Sequence, residues 1–159
     1  MHLRHLFLGL ALAAGGGATV ANAMYAGDLV LSVPLGDPEM QAASRRARAE
    51  LASFYERLEN PAPDEGEFMV AYDIIPGNEE ELVWVEDLVR TSTSLTGVLR
   101  TQPQRANASA FDPVTIAESQ IVDWIYREGP VMQGGYTYRV LISRMSRDES
   151  AMLREYLGW

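Results

Sequence analysis

The chain has 159 residues and a formal net charge of −9, with 22 acidic and 13 basic residues, two histidines and no cysteine. All 13 basic residues are arginine, and the two histidines are His2 and His5. A chain processed beyond its first residues would therefore have no His, Cys or Lys side chain. That excludes Ser-His-Asp and Cys-His catalysis, Schiff-base chemistry and zinc sites built on His or Cys. The acidic balance opposes contact with phosphate backbones, so we expect no nucleic-acid partner.

The N-terminus has the layout of a secretory signal peptide. A short basic start precedes an apolar run over 6–14, and Ala21-Asn22-Ala23 supplies the small-x-small pattern of a cleavage site. The run is shorter than the ~20 apolar residues of a transmembrane helix, and no other stretch approaches that length. We expect cleavage after Ala23, a periplasmic or secreted location, and no membrane span in the mature chain. The alternative is an uncleaved N-terminal anchor.

Cleavage would leave a lead segment over 24–36 and a single domain over 37–159. The apolar lead residues over 29–33 suggest a small edge strand or an extended arm. Asp37 can cap a helix and Pro38 suits its first position, so a helix is predicted to begin there and to end at Asn60-Pro61. Apolar side chains recur along one face of this helix: Met40, Ala43, Ala47, Leu51, Phe54 and Leu58.

After this helix the apolar period changes to two, which indicates strands. An antiparallel meander is predicted, with Gly97 at a bend or a close approach. Pro76-Gly77-Asn78 predicts a turn, and Glu79-Glu80-Glu81 a solvated acidic turn, because it lacks the spacing of a calcium loop. The predicted strands cover 68–75, 82–89, 95–100 and 114–116, and a strand or a helix-to-strand junction covers 121–126.

The C-terminal part contains one ambiguous and one clear element. Residues 136–142 are aromatic and β-branched, so propensity alone favours a strand. Ser146-Arg147-Asp148-Glu149 matches a capping box and predicts a final helix that Gly158 ends. The element order predicts an α+β fold, with an N-terminal helix, a bent antiparallel sheet of about four or five strands, and a C-terminal helix or helices.

Carboxylates remain as candidates for acid–base chemistry. Glu86 and Asp87 are neighbours in a strand, so they point to opposite faces unless a bulge intervenes. Asp123 would supply the second carboxylate of a glycosidase-like pair with Glu86. The competing interpretation is that these acids form structural ion pairs with arginines of the sheet. The candidate ion-pair partners are Arg100, Arg127 and Arg139.

Three blocks of sequence together resemble the YegJ-like family of bacterial proteins, a domain of unknown function. The blocks are VWVED over 83–87, IVDWIY over 121–126 and GGYTYRVL over 134–141. The resemblance covers about residues 40–145 and implies a small α+β domain, a helix after Gly134-Gly135, and no known catalytic residues. The positions that recur in the family form the candidate ligand or partner surface. They are Trp84, Glu86, Asp87, Asp123, Trp124, Gly134, Gly135, Tyr136 and Arg139.

Two functions are compatible with this inventory. The first is a non-enzymatic exported module that binds a basic protein or an envelope ligand, such as an inhibitor or immunity-like protein. The second is a carboxylate-based hydrolase that acts on cell-envelope glycans. We favour the first because the sequence contains no catalytic motif. We also expect no metal and no other cofactor, since nucleotide-binding patterns are absent as well.

Overall fold

The computed structural model describes residues 36–75, 81–100 and 102–159. The predicted signal peptide, the apolar lead residues and the turn at Pro76-Gly77-Asn78 lie outside these ranges. The helices are α1 (Pro38–Ala49), α2 (Leu51–Glu59), α3 (Tyr136–Ser143) and α4 (Arg147–Leu157). The strands are β1 (Glu65–Asp73), β2 (Leu82–Arg90), β3 (Ser94–Leu99), β4 (Pro113–Ala117), β5 (Ile121–Glu128) and β6 (Val131–Gly134). None of the helices in these ranges combines the length and the apolar character needed to cross a bilayer.

The six strands form one antiparallel sheet in the order β4-β3-β2-β1-β5-β6. The α+β class is confirmed, whereas the sheet has six strands and not the expected four or five. The missed strand is β6, a four-residue strand that ends at Gly134 and is paired with the second half of β5. Four residues are too few to establish a period of two, so its hairpin was recognisable only from the turn at Gly129-Pro130.

Helices cover the sheet on both faces. Val83 and Val85 point into a buried cluster beneath α2 and the end of α1, which we call the first face. Leu82 and Trp84 point into a second cluster beneath α3 and α4, which we call the second face. Asp123 and Trp124 lie in β5, which packs against α3, and the chain itself enters α3 from the end of β6.

The N-terminal helix begins as predicted but is broken in two. The carboxylate of Asp37 accepts hydrogen bonds from the amides of Glu39 (3.0 Å) and Met40 (3.2 Å). The single predicted helix is wrong at Glu50, whose dihedral angles (φ −102°, ψ 6°) separate α1 from α2. The break allows α1 to pack against β5 and α3 while α2 packs on the first face. The helical spacing of apolar residues does not reveal such long-range contacts, so it could not predict the break at Glu50.

Residues 136–143 form a helix, so the strand favoured by propensity is wrong and the helix implied by the family resemblance is right. The change of direction occurs at Gly134 and Gly135, which have left-handed φ values of 73° and 64°. The capping box that predicts α4 is confirmed, because Ser146 and Glu149 bond each other's backbone amides. Gly158 ends α4 in the left-handed conformation.

Glu81 is buried, so the predicted solvated turn is wrong at this residue, while Glu79 and Glu80 lie outside the described residues. Its carboxylate accepts hydrogen bonds from three consecutive backbone amides, those of Gln104, Arg105 (3.0 Å) and Ala106 (3.1 Å). The side chain therefore holds the loop between β3 and β4 against the start of β2. Composition alone could not indicate this, because the donors lie more than 20 residues further along the chain.

Replacing Glu81 by glutamine is expected to destabilise this loop by about 2 kcal/mol. The side-chain NH2 of glutamine would face the backbone N–H groups of residues 104–106, and the charge-assisted hydrogen bonds of the carboxylate would be lost. Hydrogen exchange at the amides of residues 104–106 should become faster, whereas the exposed control Glu118→Gln should leave it unchanged. Unchanged protection in Glu81→Gln would show that the carboxylate does not hold the loop.

Candidate functional site

The β5–α3 junction is built around the carboxylate of Asp123, which is 0% exposed. One oxygen accepts hydrogen bonds from the amides of Trp124 (2.8 Å) and Tyr136 (3.2 Å). The other accepts from the amide (2.8 Å) and the hydroxyl (2.5 Å) of Thr137. Because Gly135 at the N-cap position has no side chain, Asp123 supplies the cap of α3 from a neighbouring strand.

The predicted ion pair between Asp123 and an arginine is thus wrong. β5 has a bulge next to Asp123. Ala71 of β1 lies opposite Asp123 and the next residue, Tyr72, lies opposite Ile121, so Val122 is an extra residue without a partner in β1. The bulge and the two positive φ values at Gly134 and Gly135 let Asp123 meet the start of α3. Both carboxylate oxygens are buried and hydrogen-bonded within the protein, so neither faces a cleft that is open to a substrate.

Burial raises the pKa of Asp123 to about 6, and the hydrogen bonds from Thr137, Trp124 and Tyr136 act in the opposite direction. A folded-state pKa above the unfolded value of about 4 means that protonation favours the native state. The corresponding contribution to stability is complete below pH ~4. It is lost as the pH rises through about 6, and about two pKa units correspond to about 3 kcal/mol.

We therefore expect the stability advantage of the native protein over Asp123→Asn to shrink by about 3 kcal/mol between pH 4 and pH 7. The comparison isolates Asp123, because other titrating groups are common to both proteins. Asp37 is one such group, and its hydrogen bond with Arg144 lowers its pKa. Urea unfolding of both proteins across this pH range measures the difference. A gap that stays constant or widens would contradict the assignment.

The other candidate residues after β5 pack around the same junction. The amide of Gly135 bonds the carbonyl of Trp124 (2.9 Å), and a Cβ at Gly134 would collide with that carbonyl and with the indole ring. Tyr136 meets Trp124 edge-on, with ring centroids 5.7 Å apart. Arg139 is exposed, and its Nε donates to the carbonyl of Gly134 (3.2 Å). A Cβ at Gly135 would collide with the ring of Trp159, so both glycines are required for close packing.

The junction also joins α1 to the sheet. Trp124 donates from its indole nitrogen to the carbonyl of Ala47 (2.8 Å), and Arg48 donates to the carbonyl of Ile121 (2.8 Å). The hydroxyl of Tyr136 donates to Glu50, the residue at the break between α1 and α2. The first face is thus connected to α3 through a continuous set of polar contacts.

Trp84 lies apart from the junction on the second face. Its ring is buried and stacks on Tyr138 with centroids 5.2 Å apart. It lines a cavity of about 30 Å³ between the sheet and α4, with Leu153 and Tyr156 on the helix side. That volume holds about one or two water molecules, which is too small for a substrate.

Glu86 and Asp87 also fall into separate environments. Both oxygens of Glu86 accept hydrogen bonds from Arg100 (3.0 and 3.2 Å), as the ion-pair interpretation predicts. Asp87 is exposed at a bulge in β2, where its φ is 54°. Since Asp123 is fully buried against α3, it shares no cleft with Glu86. The carboxylate pair of the hydrolase hypothesis is not assembled.

A second, more polar cleft of about 370 Å³ lies between α2 and the sheet. Arg90 stacks on the ring of Tyr55 at 3.8 Å and pairs with Glu59 at 2.9 Å, so its guanidinium group already interacts with side chains of α2. Burial and the charge of Glu118 raise the pKa of Tyr55 to about 12, so this phenol stays protonated. Within the described ranges, no acidic, His or Cys side chains are grouped in a way that would hold a metal ion.

The feature that the sequence did not reveal is a part of the second face that none of the described helices covers. Glu86 follows Trp84 by two residues and so points to the same side, and its cross-strand neighbour Val98 shares that side. None of the six side chains at this end of the sheet belongs to the buried cluster beneath α3 and α4. We call this set the open half-face: Glu86, Val89, Thr96, Val98, Pro113 and Thr115.

The open half-face is partly apolar. Val89 is 62% exposed, Pro113 and Thr115 are exposed, and Val98 is half-buried. Met152 and Tyr156 on α4 are exposed as well, and Phe111, in the loop before β4, is 66% exposed. Only two of the predicted site residues, Glu86 and Asp87, lie on or beside this surface. The signal in the sequence is weak, because alternation shows which side chains share a face but not which helix covers it.

The sequence of the chain matches a known protein family and one curated relative. A family model described as "Uncharacterized protein conserved in bacteria (DUF2314)" matches residues 37–159. The chain is 26% identical over 140 residues to a protein of Escherichia coli (strain K12), "Uncharacterized protein YegJ". That alignment covers 87% of this chain and 90% of the relative. No solved structure matches significantly.

Proposed function

The chain belongs to the DUF2314 family of conserved bacterial proteins, and from this premise we propose that it is a non-enzymatic exported module that binds a basic protein through its open half-face. The identity to the E. coli relative also confirms the resemblance to the YegJ-like family. Four of the residues on which the resemblance is based, Asp123, Trp124, Gly134 and Gly135, build the fold around α3. Ligand recognition is assigned to a different surface.

The observation that carries the proposal is the partly apolar end of the sheet that no helix of the described ranges covers. Exposed apolar side chains that lie next to one another on a soluble domain are typical of interaction sites. Val89, Val98 and Pro113 lie in this position beside the ion pair of Glu86 and Arg100. The mixture of an apolar centre and charged neighbours suits a protein ligand better than a membrane or a small molecule.

The net charge of −9 supports a basic partner. Long-range attraction raises the association rate of oppositely charged proteins, and acidic groups repel anionic lipid headgroups. Export is part of the proposal because of the signal-peptide pattern that ends at Ala23. The N-terminal mass of the protein recovered from a bacterial envelope fraction tests that part directly, and a mature chain beginning at Met24 is expected.

The hydrolase alternative has less support. A retaining or inverting glycosidase requires two carboxyl groups that face one cleft about 5–9.5 Å apart. Both oxygens of Asp123 bond the start of α3, and both oxygens of Glu86 bond Arg100. The structure therefore favours the binding module, which needs no free carboxylate pair.

The immobilised chain should retain a basic envelope protein at about 0.01 M salt and release it at about 1 M, where the Debye length falls from about 30 Å to about 3 Å. Two variants that each add one positive charge locate the contact. Thr115→Arg on the open half-face should lose the partner, whereas Ser53→Arg on the exposed side of α2 should keep it. The proposal fails if nothing is retained at low salt, or if both variants bind equally.

A further inference from the structure

We propose that β4 binds an extended, basic segment of the partner as an additional antiparallel or parallel strand of the sheet. This inference rests on the proposed function and specifies how the partner is recognised. It is drawn from the edge of β4 with which no described strand pairs, the composition of that strand and the charges that flank it. Strand addition uses backbone hydrogen bonds for affinity and alternate side chains for specificity.

β4 is the terminal strand of the sheet, and no other described strand pairs with its outer side. The amide of Leu99 bonds the carbonyl of Asp112 (3.0 Å), and the amide of Phe111 bonds the carbonyl of Leu99 (2.8 Å). Antiparallel alternation from this point directs the backbone groups of Val114 and Ile116 towards β3. The N–H and C=O of Thr115 therefore point outward.

The local sequence leaves this edge open to pairing. Natural edge strands are commonly blunted by a charged side chain, a bulge or an internal proline. β4 contains no charged residue, and its proline is at the first position, Pro113, where it removes no central donor. The outward amide of Ala117 is already bonded by the side chain of Gln120 (2.9 Å). Thr115 is thus the position at which an incoming strand would pair.

An added strand would also extend the open half-face. The side chains of Thr115 and Pro113 lie on this face next to Val98, so alternate residues of the incoming strand would lie beside them. Phe111 precedes β4 at a left-handed φ of 69°, and its ring is 66% exposed. A bulky residue in this conformation carries a backbone cost that a glycine would avoid, which marks the ring as a candidate apolar anchor.

Charge determines which segment fits. Asp112 and Glu118 are exposed and flank β4 at its two ends. Arg90 on β2 and Arg100 after β3 are each paired with a glutamate, and the loop between β3 and β4 carries one further arginine, the exposed Arg105. Acidic residues at both ends of the strand, in a chain of net charge −9, favour a segment with arginine or lysine. The same charges oppose pairing of β4 with β4 of a second copy.

The test uses the full chain and a synthetic peptide of about ten residues in which arginine and valine alternate. Binding is measured by calorimetry at about 0.01 M salt. Methylating the peptide's alternate backbone nitrogens keeps its charge and side chains but blocks strand pairing, and this should weaken binding by about tenfold or more. A peptide of alternating glutamate and valine should not bind.

Matched variants test the same point on the protein. Thr115→Pro removes the outward N–H without removing a bond to β3, and it should weaken binding by about tenfold, whereas Thr115→Val should bind as the native chain does. The methylated peptide keeps the test valid should Thr115→Pro fold poorly.

The outcomes separate the two proposals. If the arginine–valine peptide does not bind the native chain, the inference fails, whereas the proposed function is tested separately by the retention of a basic envelope protein at low salt. If it binds but methylation and Thr115→Pro have no effect, strand addition is overturned while a basic ligand is retained. If the chain instead dimerises through β4, and Thr115→Pro abolishes the dimer, the occupant is a second copy and the inference is wrong.

Discussion

Replacing Asp123 by alanine is expected to lower the free energy of unfolding at pH 7 by about 3 kcal/mol. The substitution removes the acceptor for the amides of Trp124, Tyr136 and Thr137 and for the hydroxyl of Thr137. Each buried donor left without an acceptor costs about 1–3 kcal/mol. Removing a buried carboxylate offsets part of this loss, because burial makes its ionisation unfavourable.

Urea unfolding at fixed pH measures this effect as a fall in the transition midpoint. Asp64→Ala is the matched control, since Asp64 is an exposed aspartate in the turn before β1 and should change stability little. Hydrogen exchange should also show that α3 loses protection first in Asp123→Ala. An Asp123→Ala protein with the native midpoint would mean that the cap of α3 contributes nothing to stability.

Trp124→Ala is expected to cost about 3–5 kcal/mol, the range for a large aromatic side chain removed from a core. The indole stacks on Phe54 at 5.2 Å and donates to the carbonyl of Ala47 at 2.8 Å. The substitution removes both contacts, which join α2 and α1 to the sheet. Trp84→Ala should have a comparable effect on the second face, where the ring stacks on Tyr138.

Phe111→Ala is the control for both tryptophan variants, because its ring is largely exposed. It should leave the thermal midpoint nearly unchanged while weakening partner binding. Near-native melting of Trp84→Ala and Trp124→Ala would contradict the core assignment and would instead place both rings at a binding face.

Local signals in the sequence predicted those elements whose ends are defined by neighbouring residues. The cap at Asp37 and the capping box from Ser146 to Glu149 are each closed within four residues. The alternating run of β2 is likewise visible without knowledge of its partners. These elements give the α+β class, because their order along the chain is enough to define it.

Elements that depend on distant partners were predicted incorrectly or not at all. The propensity of residues 136–142 favours a strand, but the carboxylate of Asp123, from more than a dozen residues earlier, caps a helix there. Glu81 is buried for the same reason, since its three donors come from the loop before β4. Neither interaction has a fixed spacing that a sequence pattern would reveal.

The candidate site was only partly predictable for a related reason. Asp123, Trp124, Gly134, Gly135 and Tyr136 do converge, but they converge to build the β5–α3 junction. The open half-face emerges only when the coverage of the second face by α3 and α4 is known. A surface defined by where helices end cannot be read from alternation within strands.

The most direct test of the open half-face uses the absence of cysteine from the chain. Single-cysteine proteins, Thr115→Cys on the open half-face and Ser53→Cys on α2, are each modified with a bulky thiol reagent before binding to the basic envelope partner is measured. Modified Thr115→Cys should lose the partner and modified Ser53→Cys should keep it. If modified Thr115→Cys still binds with the affinity of the unmodified protein, the binding surface lies elsewhere.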